Sequence, residues 1–289
     1  MKVVRLNPHK LAMMSKPVRQ VIALGFFDGV HQGHQHVIAR ARQIAHERHL
    51  PLAVMTFNRH VSRVFNTSRQ TDFRYLNTIS QKLALLSQNQ VDTTYVVDFD
   101  RDFAGIAPEK FVRDYLMALN ADVVVGGFDY TFGRGGQATI ADMPRYNHDA
   151  FDVVVVSELA QDQQKIGSTQ IRRLIKFGHI EQANELLGHR YALAGQLVQS
   201  RQDGQFKFRP ASRLQQLPPQ GTYDCQLTVG ETELTGKLSV NRRGLTVTIA
   251  DTAASRMVIS EGSQTVELAL LKRRVARSQQ VTSAQVIAI

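Results

Sequence analysis

The residues best placed to do chemistry lie in one short stretch, Gly25-Phe26-Phe27-Asp28-Gly29-Val30-His31-Gln32-Gly33-His34. An apolar run enters it, glycines punctuate it, and helical spacing follows. A turn of this kind leaves the first helical N–H groups unpaired, and the helix dipole adds partial positive charge there. A phosphate chain suits that spot. Gly33 carries no Cβ, so backbone or ligand can approach closely. His31 and His34 stand three apart at the helix start, so both rings can face one ligand. Their N–H groups can bind phosphate oxygens and stabilise charge on a departing pyrophosphate. The plainer alternative is a pair of surface histidines beside a tight turn. The strand-before, helix-after context favours the phosphate reading.

A second polar group is Ser168, Thr169 and Arg172. Hydroxyls at a helix start bind phosphate, and arginine offers a planar fork to its oxygens. Read alone, Ser168 and Thr169 would simply cap a helix, and Arg172 would be a solvated helix residue. Phe128 and Phe132 read alone as core, and Asp129 as a turn residue. No nucleophile–base triad stands out, and Cys225 lies outside these motifs. The sequence contains no cluster of Cys, His and carboxylates with metal-ligand spacing.

These groups need elements to hold them. The pattern predicts strands over Arg19–Phe26, Leu52–Phe57, Thr94–Val97, Ala121–Gly126 and Phe151–Val156. Helical spacing follows His34, recurs over Gln81–Ser87, and covers Pro108–Leu119 with proline in the first turn. Strand–helix alternation implies a parallel sheet with helices on both faces, a Rossmann-like α/β domain. Ser168–Phe177 and Ile180–Leu187 read as short helices split by Gly178. From Tyr191 the character changes to short alternating runs: Ala194–Gln199, Thr222–Val229, Glu233–Asn241, Leu245–Ala250, Arg256–Ser260 and Thr265–Lys272. Asp203-Gly204, Pro218-Pro219 and Arg243-Gly244 punctuate them. This is the signature of an all-β barrel or sandwich. The Arg-, Gln- and Pro-rich stretch Gln199–Gly221 reads as a mobile loop. Residues 1–186 and 187–289 are thus expected to form two domains.

Length and composition agree with two folded domains: 289 residues, 43% hydrophobic and 21% charged. A lone cysteine excludes an internal disulfide and suits a reducing compartment. The N-terminus lacks a signal-peptide h-region, and no apolar run would span a membrane. The expectation is a soluble cytoplasmic protein. The formal charge is +10, of which residues 1–186 carry +4 and residues 187–289 carry +6. The surplus suits anionic small molecules. RNA contact through the basic second part is the minor reading.

At its motifs the chain resembles a known family. GFFDGVHQGHQHVI is similar to the nucleotidyltransferase module of bacterial bifunctional riboflavin kinase/FAD synthetases. Val54–His60 (VMTFNRH), Gly126–Gly136 (GGFDYTFGRGG) and Ile166–Arg172 (IGSTQIR) resemble three further segments of that family, in order. The likeness covers roughly residues 15–190. It implies adenylyl transfer from ATP to FMN, giving FAD and pyrophosphate. His31 and His34 would contact ATP phosphates. Asn58 would sit beside the reacting phosphates or help place FMN. Gly25, Phe26, Asp28, Gly29 and Gly33 would form the nucleotide turn. Phe128, Asp129, Tyr130 and Phe132 would line the flavin or adenine side. Ser168, Thr169 and Arg172 would hold the triphosphate. Magnesium would arrive with ATP, held mainly by phosphate oxygens and water.

The chain also departs from the family. Arg59 and Val61 stand where the family has prolines around its His, and Gly167 stands where it has a serine. The family's second domain is the riboflavin kinase barrel, with a Gly-Phe-Pro-Thr-Ala-Asn stretch for ATP and magnesium and a catalytic Glu. Here Phe208-Arg209-Pro210-Ala211-Ser212 occupies roughly that place without the Thr or Asn. Glu267 sits in the context of a later strand. The expectation is a kinase-like barrel without kinase activity. A bifunctional enzyme, a relative acting on another phosphate, and a non-catalytic flavin- or RNA-binding regulator are the alternatives.

Overall fold

The structure, a computed structural model, describes residues 1–65, 73–161, 164–199, 205–229, 232–249 and 264–274. They divide into two compact units. The first comprises Met1–Phe73 and Ile79–Gly167, and the second Arg74–Thr78 and Ser168–Ile289.

The first unit is built on six parallel strands. In chain order its elements are β1 (Lys2–Leu6), α1 (Pro8–Met13), β2 (Gln20–Leu24), α2 (Gln32–Glu47), β3 (Leu52–Phe57), α3 (Val61–Phe65), α4 (Ile79–Gln88), β4 (Thr93–Val97) and α5 (Arg101–Ala104). Then come α6 (Pro108–Phe111), which runs on as π-type turns through Val112–Met117, and β5 (Ala121–Gly127). A two-residue ribbon follows, β6 (Thr131–Phe132) with β7 (Ala138–Thr139), then α7 (Pro144–Asn147) and β8 (Asp152–Val156). A second small ribbon pairs β9 (Ala160–Gln161) with β10 (Gln164–Lys165). The sheet order is β1-β4-β3-β2-β5-β8.

Every residue of β2 and β3 is buried, because helices cover both faces of the sheet. Alternate residues feed two cores. Val21, Ala23, Leu52 and Val54 meet Val37, Ile38, Ala41 and Ile44 of α2 on one face. Ile22, Leu24, Ala53 and Met55 meet Phe103, Phe111, Tyr115 and Leu116 on the other. β1 is an additional edge strand, parallel to β4, that the hydrophobic pattern did not announce. Most of it is exposed, with Lys2 and Arg5 interrupting its valines. Charged residues of this kind discourage edge-to-edge pairing.

The second unit opens with α8 (Ser168–Phe177) and α9 (Ile180–Leu187) and continues into β11 (Ala192–Gln199), β12 (Gln205–Pro210), β13 (Gly221–Val229), β14 (Thr232–Asn241), β15 (Gly244–Ile249) and β16 (Gln264–Arg274). These strands close as a barrel in the order β11-β12-β15-β14-β13-β16, with β16 pairing β11 to complete the ring. Ile171, Ile175, Ile180, Ala183 and Leu187 of the two helices enter the barrel core with Phe206, Phe208, Tyr223 and Leu268. Asn184 ties α9 to the barrel: its Nδ2 donates to Leu270 O at 2.9 Å, and its Oδ1 accepts from Tyr191 N at 2.7 Å.

One expectation needs correction. Within Gln199–Gly221, residues 205–210 are the strand β12 rather than a loop. Phe206 and Phe208 alternate with Lys207 and Arg209, and this period-two pattern buries both rings. The expected strand Arg256–Ser260 and the turn Asp203-Gly204 lie outside the described residues.

Candidate active site

In the sheet, β2 stands between β3 and β5. The chain moves from β2 through β3 to β4 on one side, then returns to β5 on the other. The order of winding therefore reverses beside β2. In open parallel sheets, ligands bind at the carboxyl ends of the strands at this switch point. Leu24 at the end of β2 is in register with Gly126 of β5 and with Met55 of β3. The turns after these three strands carry Gly25–His34, Phe128–Phe132 and Asn58–His60. The fold thus gathers three of the four sequence motifs at one edge of the first unit.

The turn after β2 is strained. Phe27 (φ 53°), Gly29 (φ 85°) and Val30 (φ 40°) all adopt positive φ. Such conformations cost about 1–3 kcal/mol each at non-glycine residues and collect at functional sites. The surroundings hold them: Phe27 and Val30 are fully packed in the core. Gly25 makes room, since a Cβ there would sit 2.7 Å from Phe27 Cζ.

His31 is the N-cap of α2, and its Nδ1 accepts from His34 N at 3.4 Å. With Nδ1 acting as acceptor, the proton of the neutral ring sits on Nε2, which becomes a donor. The His31 and His34 rings stack with centroids 3.6 Å apart and 20° between planes. The Phe27 ring meets His34 edge-on at 5.3 Å. Gly33 serves His31: a Cβ there would lie 3.2 Å from His31 Cε1 and 3.4 Å from the Ile166 carbonyl oxygen.

Asn58 sits just past β3 and stitches the ends of β3 and β4 together. Its Nδ2 donates to Asp98 Oδ1 at 2.8 Å, and its Oδ1 accepts from Phe99 N at 2.9 Å. One N–H and one lone pair of its amide remain beyond these bonds. At the end of β5, Phe128 is 43% exposed, a large ring left open beside the switch point. Asp129 is exposed, and Tyr130 is half-buried, with burial pushing its phenol pKa up. Phe132 is core: its ring packs 5.5 Å from Phe111 and 6.0 Å from Tyr146.

The fourth motif falls in the second unit. Ser168 and Thr169 are the first two residues of α8. Arg172 is half-buried, and its Nε donates to the Arg74 carbonyl at 2.7 Å, which fixes the plane of its guanidinium fork.

Sequence reasoning missed Lys82 and Thr56. Lys82 lies on α4, four residues before buried Leu86, and is itself buried. Its Nζ donates to Phe26 O (2.7 Å), Thr56 Oγ1 (3.3 Å) and Phe57 O (3.3 Å). Thr56 Oγ1 in turn donates to Phe26 O at 2.9 Å. The one available signal was a lysine on the apolar face of SQKLALL.

Among the described residues, no group of three or more His, Cys, Asp or Glu side chains is placed to hold a metal ion. No helix among them is long and apolar enough to cross a membrane.

Known proteins resemble this chain. A bifunctional riboflavin kinase/FMN adenylyltransferase of Listeria monocytogenes is 37% identical over 243 residues, covering 82% of this chain and 76% of that protein. A protein named FAD synthetase from the same species is 33% identical over 186 residues, covering 61% of this chain and 71% of its own. A solved structure described as a macrolide-efflux protein from Streptococcus pneumoniae matches with a TM-score of 0.82 at 26% identity, covering 95% of this chain and all of that one. The family model for FAD synthetase matches residues 13–170, more than half of the chain. The chain belongs to the FAD synthetase family.

Proposed function

We propose that the protein transfers AMP from ATP to the phosphate of FMN, giving FAD and pyrophosphate, and that it does not phosphorylate riboflavin. The observation that carries the first half is the meeting of three motif turns at the switch point, with stacked histidines on a strained helix entry. Residues 1–186 would form the transferase domain and residues 187–289 a kinase-like barrel.

In this reading the FMN phosphate, already ionised at neutral pH, attacks the α-phosphorus of ATP. The new bond joins that phosphate oxygen to phosphorus. The bond to the β-phosphate oxygen breaks, and pyrophosphate leaves with the electron pair. No strong general base is needed. The protein's work is alignment and neutralisation of the leaving charge. His31 Nε2 and the His34 ring donate to the polyphosphate; the family resemblance would give Ser168, Thr169 and Arg172 phosphate contacts as well. Gly25, Phe26, Asp28, Gly29 and Gly33 shape the nucleotide turn. Asn58 orients the reacting phosphates, and Phe128, Asp129 and Tyr130 border the ring-binding side. Magnesium would arrive with ATP, bound mainly through the nucleotide rather than by side chains, and would supply neutralisation of phosphate charge.

The bifunctional alternative is kept in view by the 37%-identical relative, which is named for both activities. Chromatography of flavins after incubation with FMN, ATP and magnesium tests the transferase reading. FAD should accumulate with one pyrophosphate per FAD; unchanged FMN would reject it.

Gly33→Ala offers a test of the histidine assignment. An added methyl presses on the His31 ring at 3.2 Å. Small misplacements of a catalytic group cost up to about 100-fold in rate, whereas alanine for glycine inside a helix adds up to ~1 kcal/mol of stability. FAD formation should therefore fall roughly tenfold while the melting temperature holds or rises. A variant with full activity would show that the His31 ring position does not matter.

A further inference from the structure

We propose that Lys82 is a positioning residue for the adenylyl transfer: its ammonium, bound to the Phe26 and Phe57 carbonyls, sets the spacing between the turn that carries His31 and His34 and the turn that carries Asn58. The proposal rests on the FAD-synthesis reading above.

The geometry is specific. An ammonium has three N–H donors, and three acceptors surround this one: Phe26 O, Thr56 Oγ1 and Phe57 O. Thr56 and Phe57 end β3, and Phe26 lies just past the end of the adjacent strand β2, at the start of the strained turn. The Nζ also lies 4.2 Å from the centroid of the Phe26 ring, a cation–π arrangement that fixes that ring. The Phe26 ring edge then meets His60, centroids 5.1 Å apart, and His60 stacks on Phe73 at 4.0 Å. One buried cation thus ties together the turns after β2 and β3. A buried lysine is costly to a fold, so a purely structural role would be filled better by an apolar side chain.

Deprotonation would undo this arrangement. A neutral amine keeps two donors and turns a lone pair toward the third oxygen. Burial lowers the Lys82 pKa to about 8, and the charge of Asp28 opposes that shift. On the elements packed around it, the β2–α2 turn carries Asp28 and His31, and the turn after β3 carries Arg59 and His60; α4 carries no other charge. Between about pH 8 and the ordinary lysine value of 10.5, the unfolded chain binds more protons than the folded one. Lys82 therefore adds stability as pH rises through that window. Activity should fall over the same window, so the loss cannot be mistaken for unfolding.

The test is kcat for FAD formation from pH 6.5 to 10 in the wild type, Lys82→Arg and Lys82→Met, with melting temperatures at each pH. The wild type should lose rate with an apparent pKa of about 8. Lys82→Arg, whose guanidinium stays protonated, should lack that limb. Lys82→Met should lose at least tenfold in kcat at neutral pH, with a smaller change in the KM for ATP. If Lys82→Met does not fold, the arginine profile decides. A flat wild-type profile, an unchanged limb in Lys82→Arg, or a folded Lys82→Met with wild-type kcat overturns the proposal. A wild type that makes no FAD overturns the reaction itself, and this proposal with it.

Discussion

Replacing His31 with alanine should lower kcat for FAD formation on the order of 100-fold. Loss of one pre-aimed donor at a developing oxyanion typically costs 100- to 1000-fold in rate. In the proposed mechanism His31 takes that role: its Nδ1 accepts from His34 N, which puts the proton of the neutral ring on Nε2. Two effects must be separated. The side chain also caps α2, and losing a cap costs about 1 kcal/mol of stability. That is a small part of the roughly 5–15 kcal/mol of a folded domain, so the variant should stay folded at 25 °C. His34→Ala should act in the same direction, because it removes the ring stacked 3.6 Å from His31. The two rings touch, so the double variant should lose less than the product of the single losses. Steady-state kinetics beside thermal melts gives the answer. Near-normal turnover in both folded single variants would remove the histidines from the mechanism.

The second large effect is an absence. Riboflavin offered with ATP and magnesium should yield no FMN, under conditions in which FMN is converted to FAD. The segment Phe208–Ser212 begins inside β12, where Phe208 is committed to the barrel core and Arg209 points outward. Neither presents the threonine and asparagine expected of a magnesium- and ATP-binding stretch. Cys225 supplies no reactive substitute: burial pushes its thiol pKa up to about 12, so it stays protonated and inert. Glu267 is exposed on β16, between β11 and β13. Chromatography of the flavins decides the matter, and an FMN peak growing from riboflavin would restore kinase activity to the barrel.

Where tertiary context agrees with local pattern, the sequence was readable. Leu52–Phe57 is apolar throughout because both sheet faces are covered, and it is a strand with those bounds. Ser168–Phe177 and Ile180–Leu187 are helices at the expected residues. The turn Gly25–His34 was legible because glycines and histidines are conspicuous between a strand and a helix. Other features depended on partners that are distant in sequence. β1 is half polar and gains its strand identity from pairing with β4, some 90 residues later. β12 was hidden by the Arg, Gln and Pro around it, although its own residues alternate. Positive φ at Phe27 and Val30 contradicts what those side chains prefer, so no local rule predicts it. Lys82 is the instructive miss. A lysine ordinarily reads as solvated, and only the meeting of α4 with the ends of β2 and β3 gives it three carbonyl and hydroxyl partners.

The fate of phosphorus labels tests the central chemistry most directly. The protein would be incubated with FMN, magnesium and ATP labelled at either the α- or the γ-phosphate. Attack at the α-phosphorus predicts that the α label enters FAD and the γ label leaves in pyrophosphate. A γ label found in a flavin, or no label in any flavin while ATP is consumed, would contradict adenylyl transfer at this site.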